Sequence, residues 1–346
     1  MKIKQNKKQT IRSVKFKKYI PLMATVAAFG LIGLATQAFS RAASPTKISW
    51  VVVPHEDDEL EAWSMIQDTP GDYKLFIYLT RGEETGYCSS NLSGLNTTKG
   101  ELAPSPIPGS KWTQSCETAR ISSTLNFFSQ MNNTDATLPS DPVFYKQSVQ
   151  FPANGVNVQR CDNHNGTQLP VCGGTAITDR SALVYSGGTY GRFIFFNLGD
   201  GDVTKEEAKW AIDIVMNNKT TLGVPTNISS SNLLGASFSN MKTTTSVCKQ
   251  YAHADHRAVH DALWNHNFTA FSGYQAAATC AADTDASLHK SISDARWNDA
   301  FGLYTNGTAY GAYHKHYGWL WPNLYSFDAT HQGTVVHKNQ HFWKRY

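Results

Sequence analysis

The architecture of this chain centres on Val51–Leu60, whose sequence is VVVPHEDDEL. Three β-branched valines are followed by Pro54, a histidine and four acidic residues. A continuous β-branched run is typical of a strand that is buried on both faces in a parallel sheet. Open α/β sheets bind their ligands at the carboxyl ends of such strands. We therefore expect His55 and Asp58 to be able to hold a metal ion, with Asp57 placed to act on a metal-bound water.

A strand–helix alternation follows this stretch. Residues 59–67 predict a short helix that ends before Pro70, and residues 73–79 predict a second apolar strand. Two strands joined by a short helix form a βαβ unit, which predicts a parallel sheet. Residues 87–111 predict a long surface loop, and 138–191 an irregular insertion with one or two strands. Further helices are expected at 113–128, 204–217 and 253–264, and further strands at 192–198, 233–238 and 269–274.

The net charge of +4 comes from the N-terminus. Residues 1–41 contain nine basic residues and no acid, which leaves 31 − 9 = 22 basic against 27 acidic residues, a net of −5. The body of the chain is therefore mildly acidic, and we expect no nucleic-acid partner.

The basic N-terminus precedes an apolar run, residues 19–39. This order is typical of a secretory signal peptide, which we place at residues 1–44, with small residues near Ala38 and Ala42 offering cleavage sites. An uncleaved signal anchor is the alternative, because about 20 apolar residues can span a bilayer. Residues 20–39 would then attach the protein to a membrane. Both interpretations place the body outside the cytoplasm, either secreted or anchored.

The six cysteines are consistent with export. None belongs to a CxxC pair, so we do not expect a thiolate zinc site. In an exported protein we expect the cysteines to form disulfide bonds. Pairing of nearest neighbours gives 88–116, 161–172 and 248–280, although six cysteines allow 15 connectivities.

A second polar cluster occupies Tyr251–His260. His253 and His256 are three residues apart, so a helix would place both on one face. One of these imidazoles, together with His55 and Asp58, would make a set of two histidines and one carboxylate. Zinc hydrolases use three protein ligands and leave a position open for water. The other imidazole could then stabilise an oxyanion or protonate a leaving amine.

These motifs together resemble the PIG-L/LmbE-like zinc-dependent N-acetylglucosaminyl deacetylases. The family's His-Pro-Asp-Asp-Glu motif is similar to His55–Glu59, and its His-x-x-His motif is similar to His253–His256. Thr80–Glu83 resembles the family's Thr-x-Gly-Glu turn, and Leu198–Gly201 resembles a Pro-Asp-Gly segment. The resemblance extends over about residues 47–275. Glu56 departs from the more usual proline, which should alter the local turn and charge but not the ligands.

The resemblance implies a Rossmann-like three-layer α/β/α sandwich with a mainly parallel sheet. We expect a deacetylase domain at 45–280 that carries long disulfide-bearing loops. An aromatic C-terminal extension, 281–346, would pack on that domain. Its aromatic residues either pack this segment or form a platform for sugar rings.

By position, the resemblance implies Zn²⁺ as the cofactor, held by His55, Asp58 and His256. Asp57 would be the general base, and His253 the acid or oxyanion partner. Four further residues would support this site: Glu59, Arg81, Glu83 and Asp255.

The sequence thus predicts an exported hydrolase that removes an acetyl group from an N-acetylated sugar or glycoconjugate. Alternatives remain open for the first motif and for the whole protein. Asp57–Glu59 could simply cap a helix, since acids are favourable in a first turn. The protein could also be a cell-surface carbohydrate-binding protein with an idle metal site, or a non-haem Fe(II) oxygenase, which also uses two histidines and one carboxylate.

Overall fold

A mixed β-sheet forms the centre of the protein in a computed structural model that describes residues 43–147, 150–158, 178–237, 253–279, 286–302, 311–320 and 336–345. Within these ranges the chain forms nine strands and six α-helices. The strands are β1 Lys47–Val53, β2 Asp72–Tyr78, β3 Val143–Gln147, β4 Ala182–Ser186, β5 Gly191–Phe196, β6 Ser229–Gly235, β7 Gln275–Thr279, β8 Leu288–Ser291 and β9 Asn339–Lys344. The helices are α1 Trp63–Gln67, α2 Gln114–Asn132, α3 Lys205–Asn217, α4 Ala254–Asn265, α5 Asp294–Phe301 and α6 Ala312–Tyr317.

The strand order is β3-β4-β5-β2-β1-β6-β7-β9-β8. The five central strands of this order, β5, β2, β1, β6 and β7, pair in parallel. Both edges of the sheet pair antiparallel. The α/β class is confirmed, and the predicted parallel sheet holds at the centre, whereas its edges are antiparallel.

Two hydrophobic clusters cover the sheet. Successive side chains of β1 point to opposite faces of the sheet. Val51 and Val53 therefore belong to the first cluster, and Trp50 and Val52 belong to the second. The first cluster contains side chains from α1, α2, α5 and α6. The second contains side chains from α3 and α4. Helices therefore bury the central strands from both sides.

Local signals account for most of the elements. The predicted helix after Thr204 is confirmed, with a capping box in which the Thr204 hydroxyl accepts from the Glu207 amide and the Glu207 carboxylate accepts from the Thr204 amide. The strand predicted at 269–274 is wrong, since the strand occupies Gln275–Thr279. A Cβ at Gly273 would lie 2.3 Å from Asn232 Oδ1, so the chain makes a close turn against β6 before the strand begins.

The segment after residue 280 contributes to the same body. Strand β9 pairs with β7 and β8, and the contacts group Ala43–Tyr346 as one compact unit. Tyr313, Tyr317 and Trp319 are buried in the first cluster, so these aromatic residues pack the segment.

The Cys88–Cys116 disulfide is confirmed. The other four cysteines and the basic, apolar N-terminus (residues 1–42) lie outside the described residues. In the part of the chain that the structure describes, no helix is both long and apolar enough to cross a membrane.

Candidate metal centre

The two polar motifs meet at the carboxyl end of β1 and β6. The strand that follows β1 in the chain, β2, lies on one side of β1 in the sheet, and β6 lies on its other side. The chain connections therefore run in opposite directions from the gap between β1 and β6. Such a switch point is where open α/β sheets bind ligands. A Cβ at Gly235 would lie 3.0 Å from both Val259 and Leu263, so this glycine allows α4 to pack closely on β6. That packing brings His256 to the turn that follows β1.

Three predicted ligands converge there. His55 Nδ1 lies 2.9 Å from Asp58 Oδ2, and His256 Nε2 lies 3.3 Å from the same oxygen. Ligand atoms of a tetrahedral zinc ion are about 3.3 Å apart, given bonds of about 2.0–2.1 Å. His55, Asp58 and His256 therefore form a group that could hold a metal ion.

In both histidines, the ring nitrogen that points away from Asp58 has a polar partner, which favours His55, Asp58 and His256 as the ligand group. His256 Nδ1 lies 2.9 Å from the Ser237 carbonyl oxygen, which can only accept, so Nδ1 carries the proton and Nε2 faces Asp58. His55 Nε2 lies 2.9 Å from Asp255 Oδ2 and 3.0 Å from Asp200 Oδ1. Carboxylate or carbonyl partners of this kind orient histidine ligands and set their tautomer.

A second group shares His55. Ligand atoms of His55, Asp200, His253 and Asp255 also lie within 4.8 Å of one another. This group would use Nε2 of His55, which is the nitrogen that faces the two carboxylates. Asp255 is fully buried and already accepts from the Gly201 amide at 2.8 Å and the Val203 amide at 2.9 Å. These bonds fit Asp255 better for orienting His55 than for binding a metal directly.

The electrostatics of the centre favour a cation. Burial alone would lower the pKa of His55, but Asp200, Asp255 and Asp58 outweigh it and hold that pKa well above its usual value. Burial alone would raise the pKa of Asp58, yet His256 and His55 hold it well below its usual range. Burial likewise opposes ionisation of Asp200, whose pKa His55 and the Glu84 amide nevertheless lower to about 2. A proton on His55 therefore supplies positive charge that a metal ion could supply instead.

Asp57 occupies a strained turn beside this group. Its φ of 101° lies in the left-handed region, which is unusual for a residue other than glycine. Its amide donates to Glu59 Oε2 at 3.1 Å, and its Oδ1 accepts from Arg120 Nη2 at 3.1 Å. The turn is thus held by side chains on both sides.

His253 stands next to the group of His55, Asp58 and His256 and belongs to the second group. Its ring centroid is 4.7 Å from that of His55 and 5.6 Å from that of His256. Burial, and then the positive charge of His55, lower the pKa of His253, which favours the neutral imidazole.

The supporting residues lie around the same turn. Glu59 accepts from the Tyr317 hydroxyl, and burial raises the pKa of Glu59 to about 8. Arg81 donates to Glu117 at 3.0 Å, and Glu83 is buried, with its carbonyl accepting from the Trp112 amide. Arg81 therefore forms its ion pair with α2.

Sequence reasoning missed two residues of the centre. Asp200 entered the prediction only as part of the Leu198–Gly201 segment, with no role at the site, although it follows β5 at the same sheet edge as His55, and that position was an available signal. Arg120 comes from α2, 63 residues beyond Asp57. No local pattern marks it.

Comparisons of the chain with protein-family models, curated proteins and solved structures found no match.

Proposed function

We propose that this protein is an exported zinc-dependent hydrolase that removes an acetyl group from an N-acetylated amino sugar or glycoconjugate. The observation that carries the proposal is the convergence of His55 Nδ1, Asp58 Oδ2 and His256 Nε2, with Asp57 and His253 beside them. The PIG-L/LmbE-like assignment and the three-layer α/β/α arrangement belong to the same proposal. Helices on both faces of the sheet support the latter.

Zinc is the metal that fits these donors best. Two imidazoles and one carboxylate, whose Asp58 oxygen lies 2.9 Å and 3.3 Å from the two ring nitrogens, are the donor types of a catalytic zinc site that keeps a position open for water. When bound, zinc would supply a Lewis acid that polarises the amide carbonyl and lowers the pKa of water.

Two side chains would move protons. Asp57 would accept the proton of the attacking water, since it is an acid placed between ligands in sequence and held by Arg120. His253 would be the acid or oxyanion partner; its lowered pKa favours a neutral imidazole that donates a hydrogen bond to the developing oxyanion, and the proton taken up by Asp57 would then pass to the departing amine. Asp200 and Asp255 would keep His55 in the orientation needed for binding.

The experiment is an amine-release screen of the zinc-loaded protein against N-acetylated sugars and glycoconjugates. Wild type should release amine, and Asp57→Asn should keep its zinc while losing about 10²–10⁴-fold in rate, as expected for loss of a general base. Full activity in Asp57→Asn would contradict the role of the base.

The screen also separates the other functions. Sugar binding without amine release by the zinc-loaded protein would indicate a carbohydrate-binding protein. Activity that requires oxygen and iron would indicate an oxygenase.

A further inference from the structure

Arg120 reaches the strained turn after β1 from the middle of α2. Arg120 is only 5% exposed. Its Nη2 donates both to Asp57 Oδ1, at 3.1 Å, and to the backbone carbonyl oxygen of Glu56. Its Nε lies 3.4 Å from Glu56 Oε2. One guanidinium therefore holds the main chain of the turn and the carboxylates of two successive residues.

The turn that Arg120 holds is one that an aspartate rarely adopts. Asp57 has φ 101° and ψ −22°, and such a conformation persists only where the surroundings over-determine it. The bonds from Arg120 hold the turn from the side of α2. The bond from the Asp57 amide to Glu59 holds it from the following 3₁₀ helix, Asp58–Ala62.

The turn after β2 also leaves space for the contact between Glu56 and Arg120. Gly82 follows β2 with φ +61°, and a Cβ there would lie 2.4 Å from Arg120 Nε and 2.6 Å from Glu56 Oε2. Any larger residue would displace the ion pair. The turns after β1 and β2 therefore both leave room for the Glu56–Arg120 pair.

Glu56 gives Arg120 a fixed position. Its side chain is fully buried and lies against the guanidinium, with Oε2 3.4 Å from Nε. A guanidinium has a rigid, planar fork of donors, so fixing Nε at Glu56 also fixes the direction of Nη2. With Oδ1 bonded to Nη2, the Asp57 carboxylate cannot rotate freely, which sets the direction of Oδ2.

We propose that Arg120 is a positioning residue that aims the Asp57 carboxylate at the attacking water, and that Glu56 anchors Arg120 for this purpose. The proposal rests on the proposed function, because it assumes that Asp57 is the base. It assigns to Glu56 and Arg120 a role in the rate of the chemical step and none in metal binding.

The test compares kinetics and zinc content in Arg120→Gln and Arg120→Lys. A glutamine amide cannot span the Glu56 and Asp57 contacts, so kcat should fall about 100-fold, the loss typical of a reactive group misplaced by about 1 Å, with KM and zinc content unchanged. Arg120→Lys should restore part of kcat, because it keeps the charge but not the fork. The double variant Asp57→Asn/Arg120→Gln should be no slower than Asp57→Asn alone, since residues that act as a unit are not additive.

Arg192→Gln is the matched control. Arg192 is also buried and donates to a backbone carbonyl, that of Gly223, but it lies on β5 and does not contact the turn. It should keep the wild-type kcat. Wild-type kcat in Arg120→Gln, loss of zinc in that variant, or a further loss in the double variant would each overturn the proposal.

Crystal structures of wild type and Arg120→Gln provide a readout that needs no substrate. In the variant, Asp57 should leave the left-handed conformation or turn its carboxylate, and an unchanged Asp57 would overturn the proposal. If wild type releases no amine from any substrate, the proposed function fails, while the structures still decide whether Arg120 positions Asp57. Should Arg120→Gln not fold, Glu56→Gln replaces it in both measurements, with an expected fall in kcat of about tenfold. Unchanged kcat and an unchanged Asp57 in Glu56→Gln would overturn the proposal.

Discussion

The two ends of β1 each carry a largely buried polar cluster, but the two clusters differ in charge. The amino-end cluster consists of Ser49, Asp72, Ser230, Ser231 and Asn232. In it, Asp72 Oδ2 accepts from the Ser49 hydroxyl and from the Ser231 hydroxyl at 2.7 Å, and Asn232 donates to Ser49 at 3.3 Å. Neutral donors thus satisfy one carboxylate.

The carboxyl end places several carboxylates around one imidazole. Asp58, Asp200 and Asp255 each approach His55 within 3.0 Å. Hydroxyl groups satisfy a single acid at one end, whereas the other end needs positive charge. Burial of polar groups alone therefore does not distinguish the two ends of β1, whereas an excess of buried acids around a histidine makes the carboxyl end the candidate for a binding site.

Removing a ligand should have the largest effect. His256→Ala deletes Nε2 from the donor group, so zinc affinity should fall by more than about 100-fold, beyond the 10–100-fold typical of losing an outer partner. Amine release should fall to background. Zinc titration against a competing chelator measures the change, and Ser49→Ala, at the other end of β1, should bind zinc as wild type does. Stoichiometric tight zinc in His256→Ala would contradict the assignment.

The disulfide should stabilise the site end of the molecule. Cys88 and Cys116 are 28 residues apart, and loop-closure entropy for that length predicts a loss of about 3–4 kcal/mol in the free energy of unfolding when both become serine. Urea unfolding measures it. Cys116 precedes Glu117, the partner of Arg81, so local protection from hydrogen exchange should fall more in α2 than in β6. Equal stability of the double serine variant and wild type would show that the loop is held by packing alone.

Asp255→Asn should weaken zinc binding by about 10–100-fold without abolishing it, because the proposed role of Asp255 is to orient His55 and not to bind the metal. The amide oxygen can still accept from the Val203 amide, whereas the amide nitrogen cannot accept from the Gly201 amide, so the fold should be kept with a small loss of stability. Asp72→Asn is the matched change in the amino-end cluster and should leave zinc affinity unchanged. A complete loss of zinc in Asp255→Asn would instead favour the second donor group.

The smallest expected effect is on the pH dependence of the free energy of unfolding, and it comes from Lys74 near the amino-end cluster. Burial lowers the pKa of Lys74, beside Asp72 on β2, to about 8. Between that value and the unfolded pKa of about 10.4, the unfolded chain binds more protons than the folded protein, so this group makes stability rise with pH. From pH 7.5 to 10, wild type should gain about 2 kcal/mol relative to Lys74→Met. Urea unfolding at both pH values tests it, and parallel profiles would contradict the burial effect.

Much of the fold was predictable because its signals are local. The valine run of β1, the helical spacing of α2 and the Thr204 capping box each depend on residues within a few positions of one another. The strand predicted at 269–274 failed because the close approach of Gly273 to Asn232 is a tertiary constraint.

The sequence by itself determined the donor types, their order and the strand that carries His55, since strand and helix periodicity depend on neighbouring residues. It also indicated the 88–116 disulfide by proximity along the chain. Only the tertiary structure decided that Asp200 and Asp255 face His55 Nε2, and that Arg120 fixes Asp57. These pairs join residues from 63 to 200 positions apart, and only packing around the sheet brings such residues within bonding distance.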